Sequence, residues 1–251
     1  MQARGIPSTP LEVGYASLVE KLVYLLWPNA GVEERGIDAF RDQLLAKLPP
    51  VLQRDCATRL KISVTDGDVA AGKGLHLGPL APKALVSFWL ECIQDRSTCE
   101  TAIAELSTQH AGYLVVESQP LRLETTRDDI GKRVRGFSLV GCIEPAKGIS
   151  QTDFIERWET KHRDVALSTQ STFSYVRNEV VRPLSPQAPP WRGIVEEGFP
   201  IEALTDPRVF YDAVDSEARF RENAKRMVDS CLAFLSIERV DSHPMSEDRF
   251  Y

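Results

Sequence analysis

Residues 150–162, SQTDFIERWETKH, and residues 172–181, TFSYVRNEVV, form the stretch that decides the fold. The first segment opens with a serine and carries an aspartate three residues later, which is typical of a helix N-terminus. Phe154, Trp158 and His162 recur every fourth residue, so they lie near one another on one face of that helix. The pattern predicts an aromatic-lined helix that ends at a histidine and leads into a strand.

The predicted strand carries polar side chains beside aromatic ones. Because side chains alternate along a strand, Phe173, Tyr175, Arg177, Glu179 and Val181 share one side. Together with the helix, this strand holds the densest group of chemically useful side chains in the sequence. The helix and the strand are therefore the candidate functional site.

The composition indicates a globular protein with a sizeable core. The 251 residues are 43% apolar and 26% charged, which excludes a disordered chain. A net charge of −6 argues against nucleic acid or an anionic membrane as a partner, because both repel a net-negative surface. No apolar run approaches the ~18 residues of a membrane span, and the first ten residues lack the apolar core of a signal peptide.

The cysteines and glycines indicate no metal centre and no nucleotide cofactor. The five cysteines are scattered and form no CxxC pair, so we expect neither a zinc site nor a thioredoxin-like motif, and a cytoplasmic location. No glycine fingerprint leads from a strand into a helix. His76, in a glycine-rich segment, is interpreted as part of a flexible loop, and His243 as an exposed loop residue. We therefore expect no cofactor of either kind.

The order of predicted elements repeats once along the chain. In the first half, apolar periodicity predicts strands at residues 22–27, 60–65, 84–92 and 113–117 and helices at residues 33–48 and 97–106. In the second half it predicts strands at residues 137–143, 172–181, 192–198 and 234–240, with helices near residues 150–162, 206–210 and 216–231. Each half reads β-α-β-β-α-β, which is the split-βαβ, ferredoxin-like unit.

The two opening helices also align as text. Residues 40–48 and 154–162 both begin with phenylalanine and place lysine at the same position, whereas Leu48 stands where His162 does. A tandem duplication with a degenerate first copy is the simplest interpretation. We therefore predict an N-terminal arm (1–19), unit 1 (20–124), a linker (125–134), unit 2 (135–242) and a tail (243–251).

The apolar content of the strands predicts how the two units meet. Helices cover one face of a four-stranded sheet, yet many strand positions are apolar on both sides. The second face must therefore be covered as well. The simplest cover is the sheet of the other unit, so we predict an α+β fold in which two antiparallel sheets pair into a barrel within one chain. A homodimer of such chains remains an alternative.

The second half resembles the EthD family of dimeric α+β barrel proteins. The resemblance rests on Phe154, Trp158, His162 and Tyr175, on a late helix at residues 220–229 and on the predicted strand at residues 234–240, and it covers residues 135–242. It implies a ferredoxin-like fold that pairs into a barrel, with small organic molecules as ligands. It also implies cofactor-free chemistry on apolar compounds, such as polyketide dehydration or cyclisation, or a catabolic step on ethers.

Each candidate residue has a second interpretation. His162 could transfer a proton at neutral pH, or it could be a structural histidine near a helix C-terminus. Trp158 and Phe154 could line a pocket or belong to the core. Tyr175 and Arg177 could orient a ligand oxygen, or Tyr175 could pack with its hydroxyl at the rim while Arg177 pairs with Glu179 or Asp164. Asp229, on the late helix, could orient the histidine.

Two functions follow from these alternatives. The first is a cofactor-independent enzyme that acts on a small, largely apolar organic compound, with His162 as the proton-transfer residue. The second is a non-catalytic barrel that binds such a compound for a partner enzyme. A structural pseudo-dimer without a ligand is a third alternative. A pocket with polar groups near His162 would favour the enzyme.

Overall fold

A computed structural model describes residues 19–29, 36–54 and 57–251. The predicted N-terminal arm lies outside the described residues apart from residue 19, as does the predicted start of the first helix at Glu33.

Nine strands and six α-helices make up the described structure. The strands are β1 (Glu20–Pro28), β2 (Arg59–Val64), β3 (Ala84–Leu90), β4 (Ser107–Leu121), β5 (Lys132–Arg133), β6 (Phe137–Ile143), β7 (Ser174–Pro183), β8 (Gly193–Phe199) and β9 (Asp241–Phe250). The helices are α1 (Ile37–Arg54), α2 (Ser97–Ala104), α3 (Gln151–Arg157), α4 (Arg163–Thr169), α5 (Pro207–Phe210) and α6 (Glu217–Leu232). A π-helical turn at Trp158–His162 joins α3 to α4.

Eight of the strands close into one antiparallel barrel. They follow the order β2-β3-β1-β4-β7-β8-β6-β9, and β9 pairs back onto β2. The short strand β5 pairs with Asp248 and Arg249 of β9, on the edge of β9 that does not face β2. The two halves meet at two seams, β4 with β7 and β9 with β2. The α+β class and the barrel predicted from the sequence are confirmed.

Alternation along the strands separates an outer from an inner core. The outward side chains of β1, such as Leu22, Tyr24 and Leu26, pack with those of β2 and β3 against α1 and α2. The inward side chains of β1, such as Val23 and Leu25, pack inside the barrel with those of β4, β6 and β8. The helices therefore lie outside the barrel, and its lumen is lined by every second residue of each strand.

Large side chains fill one end of the barrel. Trp191 and Ile194 pack against Tyr113 there, and the Tyr113 hydroxyl donates to the Pro189 carbonyl at 2.9 Å. Trp27 completes this end by donating its indole N–H to the Leu80 carbonyl. Access to the lumen is therefore from the opposite end.

The last strand was predicted in the wrong place. Residues 234–240 were expected to be a strand and residues 243–251 a tail, yet β9 runs over Asp241–Phe250 and residues 237–239 form a helical turn. Phe234 is used instead to anchor the helical layer, with its ring centroid 5.6 Å from that of Phe154. The polar residues of β9 form a strand because both edges of this segment find partners in the barrel, which local propensity does not show.

Two further expectations are corrected by the helices and the linker. Helix α1 was expected to stop at Pro49, but it continues to Arg54, because Leu44, Leu48 and Leu52 form one fully buried stripe on the sheet. This packing outweighs the hydrogen bonds that the two prolines remove. The predicted linker, residues 125–134, contains β5 and is thereby paired to β9.

None of the described helices combines the length and the apolar character that crossing a bilayer requires.

Candidate functional site

The structure brings together four of the five residues predicted for the site. Phe154 and Tyr175 are fully buried, Trp158 is 2% exposed and Arg177 is 8% exposed. The Trp158 indole N–H donates to the Tyr175 hydroxyl at 2.9 Å, and Arg177 donates to the Trp158 carbonyl at 3.2 Å. These residues form the packed contact between the π-helical turn and the outer face of β7.

His162 lies at the end of the same π-helical turn and faces α6. Its Nδ1 is 2.9 Å from the Ser230 hydroxyl, and its ring centroid is 4.9 Å from that of Phe234. Burial, aided by the nearby Arg177 charge, lowers the pKa of His162 to about 4, so the imidazole is neutral at neutral pH. Asp229 pairs with Lys225 instead, so the partner of His162 is one residue later than expected.

The space next to these residues is small. A cavity of about 40 Å³ opens beside Trp158 and Arg177, between Val116 and Ile155. It has room for roughly one water molecule, not for an organic compound. The predicted residues therefore lie together as part of a helix–sheet core, and the catalytic role of His162 stays a prediction.

A different group of polar side chains lies inside the open end of the barrel. It contains three cations and three carboxylates, all on inward positions of the strands: Lys21, Lys61, Arg249, Glu117, Glu196 and Glu247. Lys21, Lys61, Glu196 and Glu247 are each less than a tenth exposed. Buried charges are stable in a protein only when they are paired, so this group must act as a unit.

Glu196 is the centre of this group. One carboxylate oxygen pairs with Lys61, and the other lies 3.4 Å from the Lys21 ammonium and accepts from the Asn178 amide at 3.0 Å. Lys21 also pairs with Glu117, and Lys61 lies 3.8 Å from Glu247. Burial alone would raise the pKa of Glu196, but the two ammonium groups and the amide hold it at about 2.

Trp89 joins the charged group to the opening. The Lys21 ammonium lies 4.8 Å from the centre of its ring, and the Arg59 guanidinium lies 5.5 Å from it. Both distances are within the range of cation–π attraction. The indole is thus held in a fixed position between a buried and an exposed cation.

A cavity of about 440 Å³ opens above this floor. Charged and polar residues on its walls include Arg59, Lys61, Glu117, Gln119, Arg122 and Arg249. Its apolar walls are Trp89, Leu123, Ile130, Val176 and Phe250. We call it the mouth cavity. Its volume lies within the range of small-molecule sites, and it combines apolar walls with a few charged groups, as such sites do.

The mouth cavity was not predicted from the sequence, because its polar residues alternate with apolar ones. Lys61 and Ser63 alternate with Leu60, Ile62 and Val64, which we interpreted as a half-buried strand. Such a pattern ordinarily means a solvated polar face. The prediction of a closed barrel already implied a buried position for these polar residues, because pairing the two sheets turns that face of the strand towards the lumen.

The histidines interpreted as loop residues also differ from expectation. His243 is 3% exposed, because it lies on β9, and its Nε2 is 2.7 Å from an Asp241 oxygen. Its Nδ1 faces the Nδ1 of His76 at 2.9 Å. This contact fixes the glycine-rich segment onto β9. Among the described residues, no three His, Cys, Asp or Glu side chains converge in a way that could hold a metal ion.

The chain is similar to known proteins in its fold but not in its sequence. No family model and no curated protein sequence matches it. The solved structure of an anthrone oxidase-like protein superposes with a TM-score of 0.52 at 7% identity, covering 94% of this chain and 93% of the other.

Two weaker similarities involve a monooxygenase-like and a chlorite dismutase structure. A putative monooxygenase from Lactobacillus acidophilus has a TM-score of 0.42 at 6% identity and covers 92% of this chain and 93% of its own. A chlorite dismutase variant from Candidatus Nitrospira defluvii has a TM-score of 0.45 at 8% identity and covers 92% and 90%. At 7% identity, the similarity to the anthrone oxidase-like protein concerns the fold and carries no information about the reaction. The chain has the fold of the dimeric α+β barrel proteins.

Proposed function

We propose that the chain is a small-molecule enzyme of the EthD-like type, built from two ferredoxin-like units by tandem duplication. It acts without a cofactor on a small, largely apolar organic compound. The strand orders β2-β3-β1-β4 and β7-β8-β6-β9 support the two-unit origin, because the same order recurs in each half. The alternative is an accessory protein that binds such a compound without converting it.

The mouth cavity is the observation that carries the proposal. It is the place near the lumen where apolar walls meet buried, fixed charges, as a site for a small organic molecule requires. The ion pairs of Glu196 hold both lysines in place before a ligand arrives. Such preorganisation is what binding and electrostatic catalysis both need.

Blocking the cavity from its rim tests this proposal. Gln119 is exposed and lines the opening, where its amide donates to Glu117, so Gln119→Trp fills the cavity and removes this hydrogen bond. We expect the wild type to bind neutral aromatic compounds such as 2-naphthamide, measured by calorimetry, and Gln119→Trp to lose that binding. Arg192→Trp, an exposed position near the filled end of the barrel, is the control that retains binding. Equal binding by both variants would place the ligand elsewhere.

Proton transfer by His162 is a second candidate activity. The observation that favours it is the contact between His162 and Ser230 beside the π-helical turn, because such turns occur often at functional sites. A neutral imidazole is already the basic form that accepts a proton. Once a substrate is known, His162→Gln should abolish turnover, and Ser230→Ala should reduce it. Full turnover in His162→Gln would leave the residue a structural histidine.

A further inference from the structure

We infer that the mouth cavity selects an organic anion, that is, a carboxylate, phenolate or enolate attached to an apolar body. This inference rests on the proposed function of the cavity and adds the charge of its ligand. It follows from the balance of charges at the floor and at the rim.

The floor of the cavity is neutral as a whole. The three cations Lys21, Lys61 and Arg249 face the three carboxylates Glu117, Glu196 and Glu247, and each cation contacts at least one carboxylate. The floor therefore satisfies its own charges and leaves no cation in need of a partner. Any net charge in the cavity must come from its rim.

The rim adds two cations that no described carboxylate neutralises. Arg59 and Arg122 line the opening, and both are exposed. Arg59 rests on the Trp89 ring, and neither guanidinium forms an ion pair with a described residue. The side chains that line the cavity thus carry a net positive charge, within a chain of net charge −6.

Guanidinium groups next to an aromatic wall recognise a particular kind of ligand. The planar donors of arginine match the two oxygens of a carboxylate, and such charge-assisted bonds are stronger than neutral ones. The apolar walls, including Leu123, Ile130 and Val176, leave room for an apolar body of the same molecule. An inorganic anion would use the cations alone, so the combination favours an organic anion.

A matched pair of ligands tests the inference. 2-Naphthoate and 2-naphthamide have the same size and apolar area but differ by one negative charge. By calorimetry at low salt, we expect the wild type to bind 2-naphthoate at least ~10-fold more tightly, which corresponds to about one charge-assisted bond. The preference should shrink as salt is raised, because an exposed rim charge is screened.

Variants of the two rim arginines test whether these residues cause the preference for the anion. Arg59→Gln combined with Arg122→Gln should abolish the preference, so that the double variant binds 2-naphthoate and 2-naphthamide with equal affinity. Arg192→Gln, which removes one exposed positive charge near the filled end of the barrel, is the control and should keep the preference. Circular dichroism of each variant confirms that these exposed changes leave the fold intact.

The outcomes separate this inference from the proposed function. If both ligands bind equally and the double variant behaves as the wild type, the anion preference is wrong, whereas the cavity remains a binding site. If neither ligand binds at millimolar concentration, both the anion preference and the proposed function are wrong. A preference that persists in the double variant would also overturn the assignment, because the rim arginines would not be its source.

Discussion

Glu196→Gln should weaken the protein more than any exposed charge substitution. The change keeps the shape of the side chain and its acceptor for Asn178, but it removes the negative charge shared by Lys61 and Lys21. A free glutamate has a pKa near 4.3, and the folded state holds that of Glu196 at about 2, which corresponds to roughly 3 kcal/mol of stability at neutral pH. Breaking other buried ion pairs costs about 3–5 kcal/mol, so we expect a loss of this size.

Urea unfolding followed by tryptophan fluorescence measures this loss. Glu217→Gln is the matched control, because Glu217 pairs with Arg208 and Arg221 on the surface, where an ion pair adds little to stability. The urea slope should be the same in all three proteins, which shows that the same surface is exposed on unfolding.

The pH dependence provides a second test of the same reasoning. The folded pKa of Glu196 lies below its unfolded value, so its contribution is complete above the unfolded pKa, roughly 4.3, and is lost as pH falls towards 2. The wild-type and Glu196→Gln stabilities should therefore converge on acidification. A loss at pH 7 no larger than that of Glu217→Gln, or a constant gap between pH 5 and pH 3, would refute the argument.

Three further predictions concern the helical layer and the last strand. Burial lowers the pKa of His162 to about 4 in the folded state. The contribution of His162 to stability is therefore complete above roughly pH 6.5 and is lost as the pH falls towards 4. In thermal melts, the melting temperature of His162→Gln should depend less on pH than that of the wild type. Deleting residues 246–251 removes the pairing of β9 with β2, and we expect no cooperative melting transition, whereas a true tail would be dispensable. An added Cβ in Gly193→Ala would lie 2.5 Å from the Trp158 ring, so urea unfolding should show a loss of about 1–3 kcal/mol, and Gly74→Ala, with open space around it, should show none.

The predictable parts of the fold were those in which local signals agree with the packing. Ser150 caps α3 as expected, since its hydroxyl accepts from the Asp153 N–H at 3.1 Å. Ser216 caps α6 in the same way, at 3.2 Å. In both helices the apolar periodicity and the cap select the same boundary. The barrel was predictable too, because apolar residues on both faces of the strands require a cover.

The position of the last strand and the location of the cavity were not predictable, because tertiary pairing decides them. The residues of β9 are mostly polar, and Glu247 and Asp248 are buried only because partners from β2 and α1 reach them. A single sequence cannot show which side chains of other elements will pair with these carboxylates in the folded protein. For the same reason, Lys61 could be recognised as an alternating strand residue but not as part of a buried ion pair.

Closure of the barrel by β9 bears on how the chain folds as it is synthesised. Every other barrel strand precedes β9, yet β2 and β6 each keep an unpaired edge until Asp241–Phe250 arrives. Open strand edges pair readily with strands of other molecules. The nascent protein therefore passes through a stage in which all strands of the first half have been synthesised but the edge of β2 is still unpaired. This stage is prone to aggregation, and it ends only when β9 pairs with both halves.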